Sequence, residues 1–241
     1  MPQTMTTTLT DSTSRLAFDA VLFDCDGVLV DSEPITGAVL RDMLEERGWQ
    51  LSQEECMRIF IGKAVKDEKA LIEARTGQPL TADWFAAFWQ RRNARLERDL
   101  LAIPGAPEAV RRIHAAYGGR IACASGADRG KIELQLRKIG LMDCFEGRYF
   151  SGHDMPRSKP FPDVYLHAAA ALGVDPRRCA VVEDTVTGAT AGVAAGATVF
   201  GYNPGGPGHS GTVDLLAVGV SRVATSMAEL ADWLLAERVG N

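Results

Sequence analysis

The stretch DAVLFDCDGVLV, residues 19–30, decides the fold. Its run Val21-Leu22-Phe23 is short, apolar and rich in strand formers, and it breaks into an acidic turn that contains Gly27. A strand that is apolar throughout, not alternating, is one covered on both faces. The same signature recurs at 120–125 (RIACAS), 179–184 (CAVVED) and 197–202 (ATVFGY). Helical patterns lie between these runs, over 106–117, 128–139, 162–172 and 187–195, each closed by a glycine. A last helix is expected over 226–237, after the Gly/Pro-rich segment GYNPGGPGHSG at 201–211. Strands alternating with helices of this length imply βαβ units, so the class is α/β with a parallel sheet flanked by helices.

One region breaks the alternation. Residues 34–101 carry only helical patterns, at 35–47, 52–60, 65–76 and 81–100. The last of these places Trp84, Phe85, Phe88 and Trp89 on one broad apolar face, the pattern of a helix–helix seam. An all-α stretch between the first and second strands reads as an insertion. The expected division is therefore a solvated tail at 1–15, an α/β core at 16–33 plus 103–241, and an inserted all-α unit at 34–102.

Length and composition exclude several classes. At 241 residues the chain holds roughly 1.6 domains of ordinary size. Lys+Arg 26 against Asp+Glu 31 leaves a net charge of −5, which argues against nucleic acid or an anionic membrane as partner. No apolar run is long enough for a transmembrane helix, and the opening MPQTMTTTLTDSTS lacks the features of a signal peptide. The cysteines Cys25, Cys56, Cys123, Cys144 and Cys179 are odd in number and show no metal-ligand spacing, as expected of reduced thiols in a cytoplasmic protein. His114, His153, His167 and His209 form no ligand pattern either.

Four polar signals fall at the carboxyl ends of the expected strands, the edge where open α/β sheets bind ligands. The first is Asp24-Cys25-Asp26-Gly27, in which residues two apart on extended chain face the same side. Two such carboxylates repel unless a cation or a shared proton compensates, and Mg²⁺ is the hard ion that suits them. A plain turn whose aspartates cap the next element is the other reading. The second signal is Ser125-Gly126 at the start of a helix, either a small anion site or an ordinary capping serine. The third is Ser158-Lys159-Pro160; lysines number six here, and Lys159 is the only one after Lys138. Its ammonium would offset the aspartates, unless it is a surface lysine. The fourth is Glu183-Asp184, closing a buried strand where acids are costly unless paired or metal-bound, with Asp184 the better direct ligand and Glu183 in support. Thr185 then caps the following helix.

In this order, the four signals resemble the haloacid dehalogenase-like (HAD) hydrolases, over residues 18 to about 235. DCDGVLVDSE (24–33) is similar to the family's first motif, Ser125 to its second, Lys159 to its third and Glu183-Asp184 to its fourth. The resemblance implies a Rossmann-like core, with the inserted helices as the family's cap. It implies a Mg²⁺-dependent phosphatase of small phosphorylated metabolites, such as sugar or polyol phosphates, working through an aspartyl-phosphate. Asp24 would be the nucleophile, ionised without help from a base, and Asp26 the general acid/base, for which its pKa must be raised. Mg²⁺ would be held by the Asp24 side chain, the Asp26 carbonyl and Asp184, with Glu183 in support, and phosphate by Ser125, Gly126 and Lys159. Phe60-Ile61-Gly62-Lys63 resembles the cap segment that reaches substrate, with Gly62 and Lys63 as its contacts. Dehalogenase chemistry would ask for another residue at Asp26. A β-phosphoglucomutase-type mutase would place a histidine where Thr36 stands, and a phospho-aspartate receiver would carry no cap.

Overall fold

The computed structural model describes residues 16–60, 63, 65–206 and 208–236. Residues 1–15, Ile61 and Gly62, and Glu237 at the end of the last expected helix, lie outside the described residues. Six strands, β1 (Ala20–Phe23), β2 (Ile121–Ser125), β3 (Tyr149–Ser151), β4 (Cys179–Glu183), β5 (Thr198–Tyr202) and β6 (Arg222–Ala224), form one sheet. Its order is β3-β2-β1-β4-β5-β6, with every pairing parallel. The helices are α1 (Glu33–Glu45), α2 (Gln53–Phe60), α3 (Lys69–Thr76), α4 (Ala82–Asp99), α5 (Ala106–Ala116), α6 (Arg129–Lys138), α7 (Met142–Phe145), α8 (Asp163–Ala171), α9 (Val186–Ala194), α10 (Thr212–Ala217) and α11 (Met227–Ala236).

The unbroken apolar runs behave as a doubly covered sheet requires. Val21 and Phe23 enter one apolar cluster, with α5, α6 and α11, while Ala20 and Leu22 enter a second, with α8 and α9. Successive side chains thus feed opposite layers, and neither face of β1 tolerates a polar substitution. The edge strands β3 and β6 have no counterpart in the sequence reading. Each is three residues long and mixes polar with apolar positions, too short to show a period.

Between β1 and β2 run α1 to α4, which build their own apolar cluster from Leu40, Met43, Leu44, Cys56, Phe60, Ile72, Trp84 and Phe88. The aromatic seam of α4 is formed by Trp84, stacked on Phe88 with ring centroids 5.8 Å apart, and by Phe85 against Trp84. Trp89 departs from it and stands 40% exposed. The expected third helix begins four residues late, because 65–68 form a turn. The two crossings to this helical group run side by side. Asp31 N donates to Leu101 O at 3.1 Å and Ile103 N to Leu29 O at 3.0 Å, around an antiparallel bridge between Val30 and Ala102.

Register sets the strand ends level. Phe23 pairs with Cys123 on one side and Val182 on the other, so Asp24, Ser125, Glu183 and Asp184 emerge at one edge. Two glycines make that edge possible. Gly27 turns the chain with φ 79°, and a Cβ there would overlap the Asp184 carboxylate. On α9, a Cβ at Gly188 would overlap the Glu183 carboxylate. Gly27→Ala combines a left-handed backbone with that overlap, so we expect urea unfolding to show a loss of at least about 1–3 kcal/mol.

Candidate functional site

The ends of β1, β2 and β4 open into a cleft of about 400 Å³ whose far wall is α1, α2 and α4. Asp24, Asp26, Ser125, Gly126, Lys159, Glu183 and Lys63 all line it. Helix capping fixes the local frame. Thr185 caps α9, accepting from Gly188 N at 3.1 Å, and Asp128 caps α6, accepting from Lys131 N at 2.9 Å.

Lys159 lies at the centre. Its Nζ donates to Asp24 Oδ1 at 2.7 Å, to Glu183 Oε1 at 2.7 Å and to the Tyr165 hydroxyl oxygen at 3.0 Å. Burial works against this ammonium, but the charges of Asp24 and Glu183 outweigh it and hold the lysine well above its ordinary pKa. Surface lysine is thus the wrong description, since the side chain is 9% exposed.

Asp24, Glu183 and Asp184 are all buried and bring one oxygen each within 4.8 Å of one another. They differ in what satisfies them. Glu183 Oε1 accepts from Lys159 and from the Tyr165 hydroxyl at 2.7 Å; Oε2 accepts from Asp184 N at 3.1 Å and the Thr185 hydroxyl at 3.3 Å. Asp184 Oδ1 is buried and has no hydrogen-bond partner among the described residues. An orphaned carboxylate oxygen in an acidic cluster is costly, and a bound cation would remove that cost. The residues therefore fit a hard divalent ion, with Asp184 and Asp24 as donors and Glu183 already committed to Lys159 and Tyr165.

The titration pattern agrees. Burial pushes Asp24 up to about 7 against the pull of Lys159, with Glu183 and Asp26 adding to the rise. Asp184 stands well above the carboxylate range through burial and then the charges of Glu183 and Asp24. The sequence expectation of an Asp24 ionised like any free carboxylate is corrected here, because burial beside two further acids favours the neutral form.

Asp26 requires the opposite correction. Its Oδ1 accepts from Ser32, from Gln135 Nε2 at 2.7 Å and from Lys131 Nζ at 2.8 Å. Burial would raise this carboxyl, but the Lys131 charge and the three donors outweigh it and hold the pKa below the ordinary value. The expected raised pKa is absent because those donors favour the charged form.

Ser125 is buried, and its Oγ accepts from Ala127 N at 3.1 Å, so it does shape the turn; its hydroxyl hydrogen remains to donate into the cleft. Lys63 is exposed and sits 3.3 Å from Glu68. Thr36 and Trp89 face the same cleft. Arg92 of α4 is buried and reaches Asp128 at 2.8 Å, tying the helical group to the start of α6.

Sequence reasoning missed Ser32, Lys131, Gln135, Tyr165 and Arg92. Lys131 and Gln135 carried a usable signal: they are polar residues at i and i+4, flanking the apolar Ile132 and Leu136 on a helix that follows Ser125. A polar pair on a buried stripe asks for a buried partner.

Comparison with known proteins places these features in context. A family model for haloacid dehalogenase-like hydrolases matches residues 18–196. The chain is 33% identical over 183 residues to 6-phosphogluconate phosphatase of Escherichia coli K12, covering 76% of this chain and 81% of the relative. It is 33% identical over 180 residues to hexitol phosphatase B of the same organism, covering 73% and 79%. Among solved structures, a HAD family hydrolase of Deinococcus radiodurans R1 with bound phosphate and sodium is 39% identical, with TM-score 0.73 over 92% of this chain and 99% of that one.

The pH dependence of stability follows from the raised pKa values. Between the unfolded carboxylate pKa and about 7, the folded metal-free protein holds a proton on Asp24 that the unfolded chain has lost. Stability should therefore fall as pH rises from 4 to 7. We expect thermal melts of metal-free protein to show that slope and Asp24→Asn to flatten part of it, with Asp184 and Glu33, which burial pushes up to about 7, contributing to what remains.

Proposed function

The chain belongs to the haloacid dehalogenase-like hydrolases, and from that premise we propose that it is a Mg²⁺-dependent phosphatase of a small sugar or polyol phosphate, working through an aspartyl-phosphate on Asp24. Both curated relatives named above are phosphatases. The observation that carries the finer reading is the Lys159 bridge from Asp24 to Glu183 beside the orphaned Asp184 oxygen.

The cation would be held by the Asp24 side chain, the Asp26 carbonyl and Asp184. Bound there, Mg²⁺ would neutralise charge that otherwise repels a phosphate dianion from the aspartates. Asp24 then attacks phosphorus as the carboxylate, which Lys159 stabilises. Ser125, Gly126 and Lys159 hold the phosphoryl oxygens, a hydroxyl, a helix-start backbone and an ammonium converging on one group. Asp26 serves as acid to the leaving alkoxide and as base to the water that cleaves the acyl phosphate. Its three donors favour the ionised form, so the arrangement favours the second role and opposes the first. The helices α1 to α4 act as a cap, presenting Lys63 and Trp89 to the organic part of the substrate. The phosphomutase alternative asks for a titratable group at position 36, and Thr36 supplies none. Buried free thiols at all five cysteines suit a cytoplasmic setting.

The reading is tested by a phosphate-release screen over sugar phosphates, phosphoglycolate and nucleotides, with and without Mg²⁺. We expect Asp24→Asn to lose turnover by roughly 10⁴–10⁶-fold while its circular dichroism stays native. Substantial Mg²⁺-dependent hydrolysis in that variant would sink the assignment. Lys63→Ala should raise KM several-fold and leave kcat nearly unchanged; an unaltered KM removes Lys63 from the substrate contacts.

A further inference from the structure

The Gly/Pro-rich segment at 201–211 has no part in the reading so far. Two of its residues, His209 and Ser210, reach the acidic cluster from the stretch that follows β5. Ser210 N donates to Asp184 O at 3.0 Å, while Val186 N donates to Ser210 Oγ at 3.0 Å, which ties the segment to the start of α9. One residue earlier, His209 Nε2 lies 3.1 Å from the carbonyl oxygen of Gly27 and 4.0 Å from Asp184 Oδ2. A carbonyl oxygen only accepts, so the facing nitrogen carries the hydrogen. The imidazole is 12% exposed and meets the edge of the buried Tyr202 ring at 5.6 Å, which fixes its orientation.

Gly27 and Asp184 are themselves in contact, since any Cβ at Gly27 would strike the Asp184 carboxylate. The Gly27 carbonyl also follows directly on Asp26. One imidazole therefore bonds to the turn that carries two donors of the cation site and stands beside the third. We propose that His209 is a positioning residue for that site, presetting the separation between the Asp24–Gly27 turn and Asp184 through its hydrogen bond to Gly27. The inference rests on the cation site of the proposed function. It assigns His209 no contact with substrate. Groups that orient metal-binding residues without touching the ion commonly account for 10–100-fold in affinity.

Calorimetric titration of metal-stripped protein with Mg²⁺ alone tests this without any turnover. His209→Ala should bind about 10–100-fold more weakly than the native chain. His209→Gln, whose amide donates from a comparable distance, should recover most of that loss, and His209→Asn, too short to reach Gly27, should not. At saturating Mg²⁺, KM for a turned-over phosphate ester should change less than about twofold, because the loss is confined to the ion. Circular dichroism in metal-free buffer checks folding; if the alanine variant does not fold, the contrast between glutamine and asparagine decides. Equal Mg²⁺ affinity in the native and the folded alanine or asparagine variants overturns the role of His209 and leaves the phosphatase reading intact. A native chain that binds no Mg²⁺ overturns both.

Discussion

One ammonium group sets the terms for the rest of the site. Lys159 joins Asp24 to Glu183 across the strand edge, and without it three buried carboxylates would face each other with no positive charge between them. The cost of burying charge explains the surroundings. Tyr165 supplies a further donor to Glu183, the Asp184 amide and the Thr185 hydroxyl donate to the other Glu183 oxygen, and Gly188 leaves that carboxylate room. What these groups do not satisfy is Asp184, and the chemistry of the cleft is concentrated in that imbalance.

The two aspartates of the first motif show how local surroundings divide identical side chains. Asp24 and Asp26 are two residues apart and both line the cleft. Asp24 is buried with one cation and the acids Glu183, Asp184 and Asp26 around it, and its carboxyl rises; Asp26 has Lys131, Ser32 and Gln135 on a single oxygen, and its carboxyl falls. One sequence spacing thus carries one carboxyl pushed up and one pulled down.

The strands that carry chemistry were legible because burial on both faces leaves an unbroken apolar run, and a polar residue ending such a run is conspicuous. Asp24, Ser125 and Asp184 are all found that way, and β1, β2, β4 and β5 with them. The short edges β3 and β6 bury less and leave no run to read. Lys131 and Gln135 were hidden for another reason. Their partner, Asp26, lies more than a hundred positions earlier in the chain, and helix periodicity records which face is buried but not what it meets. The departure of Trp89 from the α4 seam is of the same kind, since periodicity does not show that this residue lines the cleft.

The paired crossings between the sheet and the four-helix group restrict more than position. Residues 29–31 and 101–103 are hydrogen-bonded to each other as a short antiparallel ribbon, so neither can twist without carrying its neighbour. A single flexible linker would let the helices swing in any direction; a two-stranded ribbon bends easily only across its own plane. A displacement of α1 to α4 against the sheet therefore has to move both crossings together. The Arg92–Asp128 ion pair adds a second tie, from α4 to the start of α6, that any such displacement has to break or carry along.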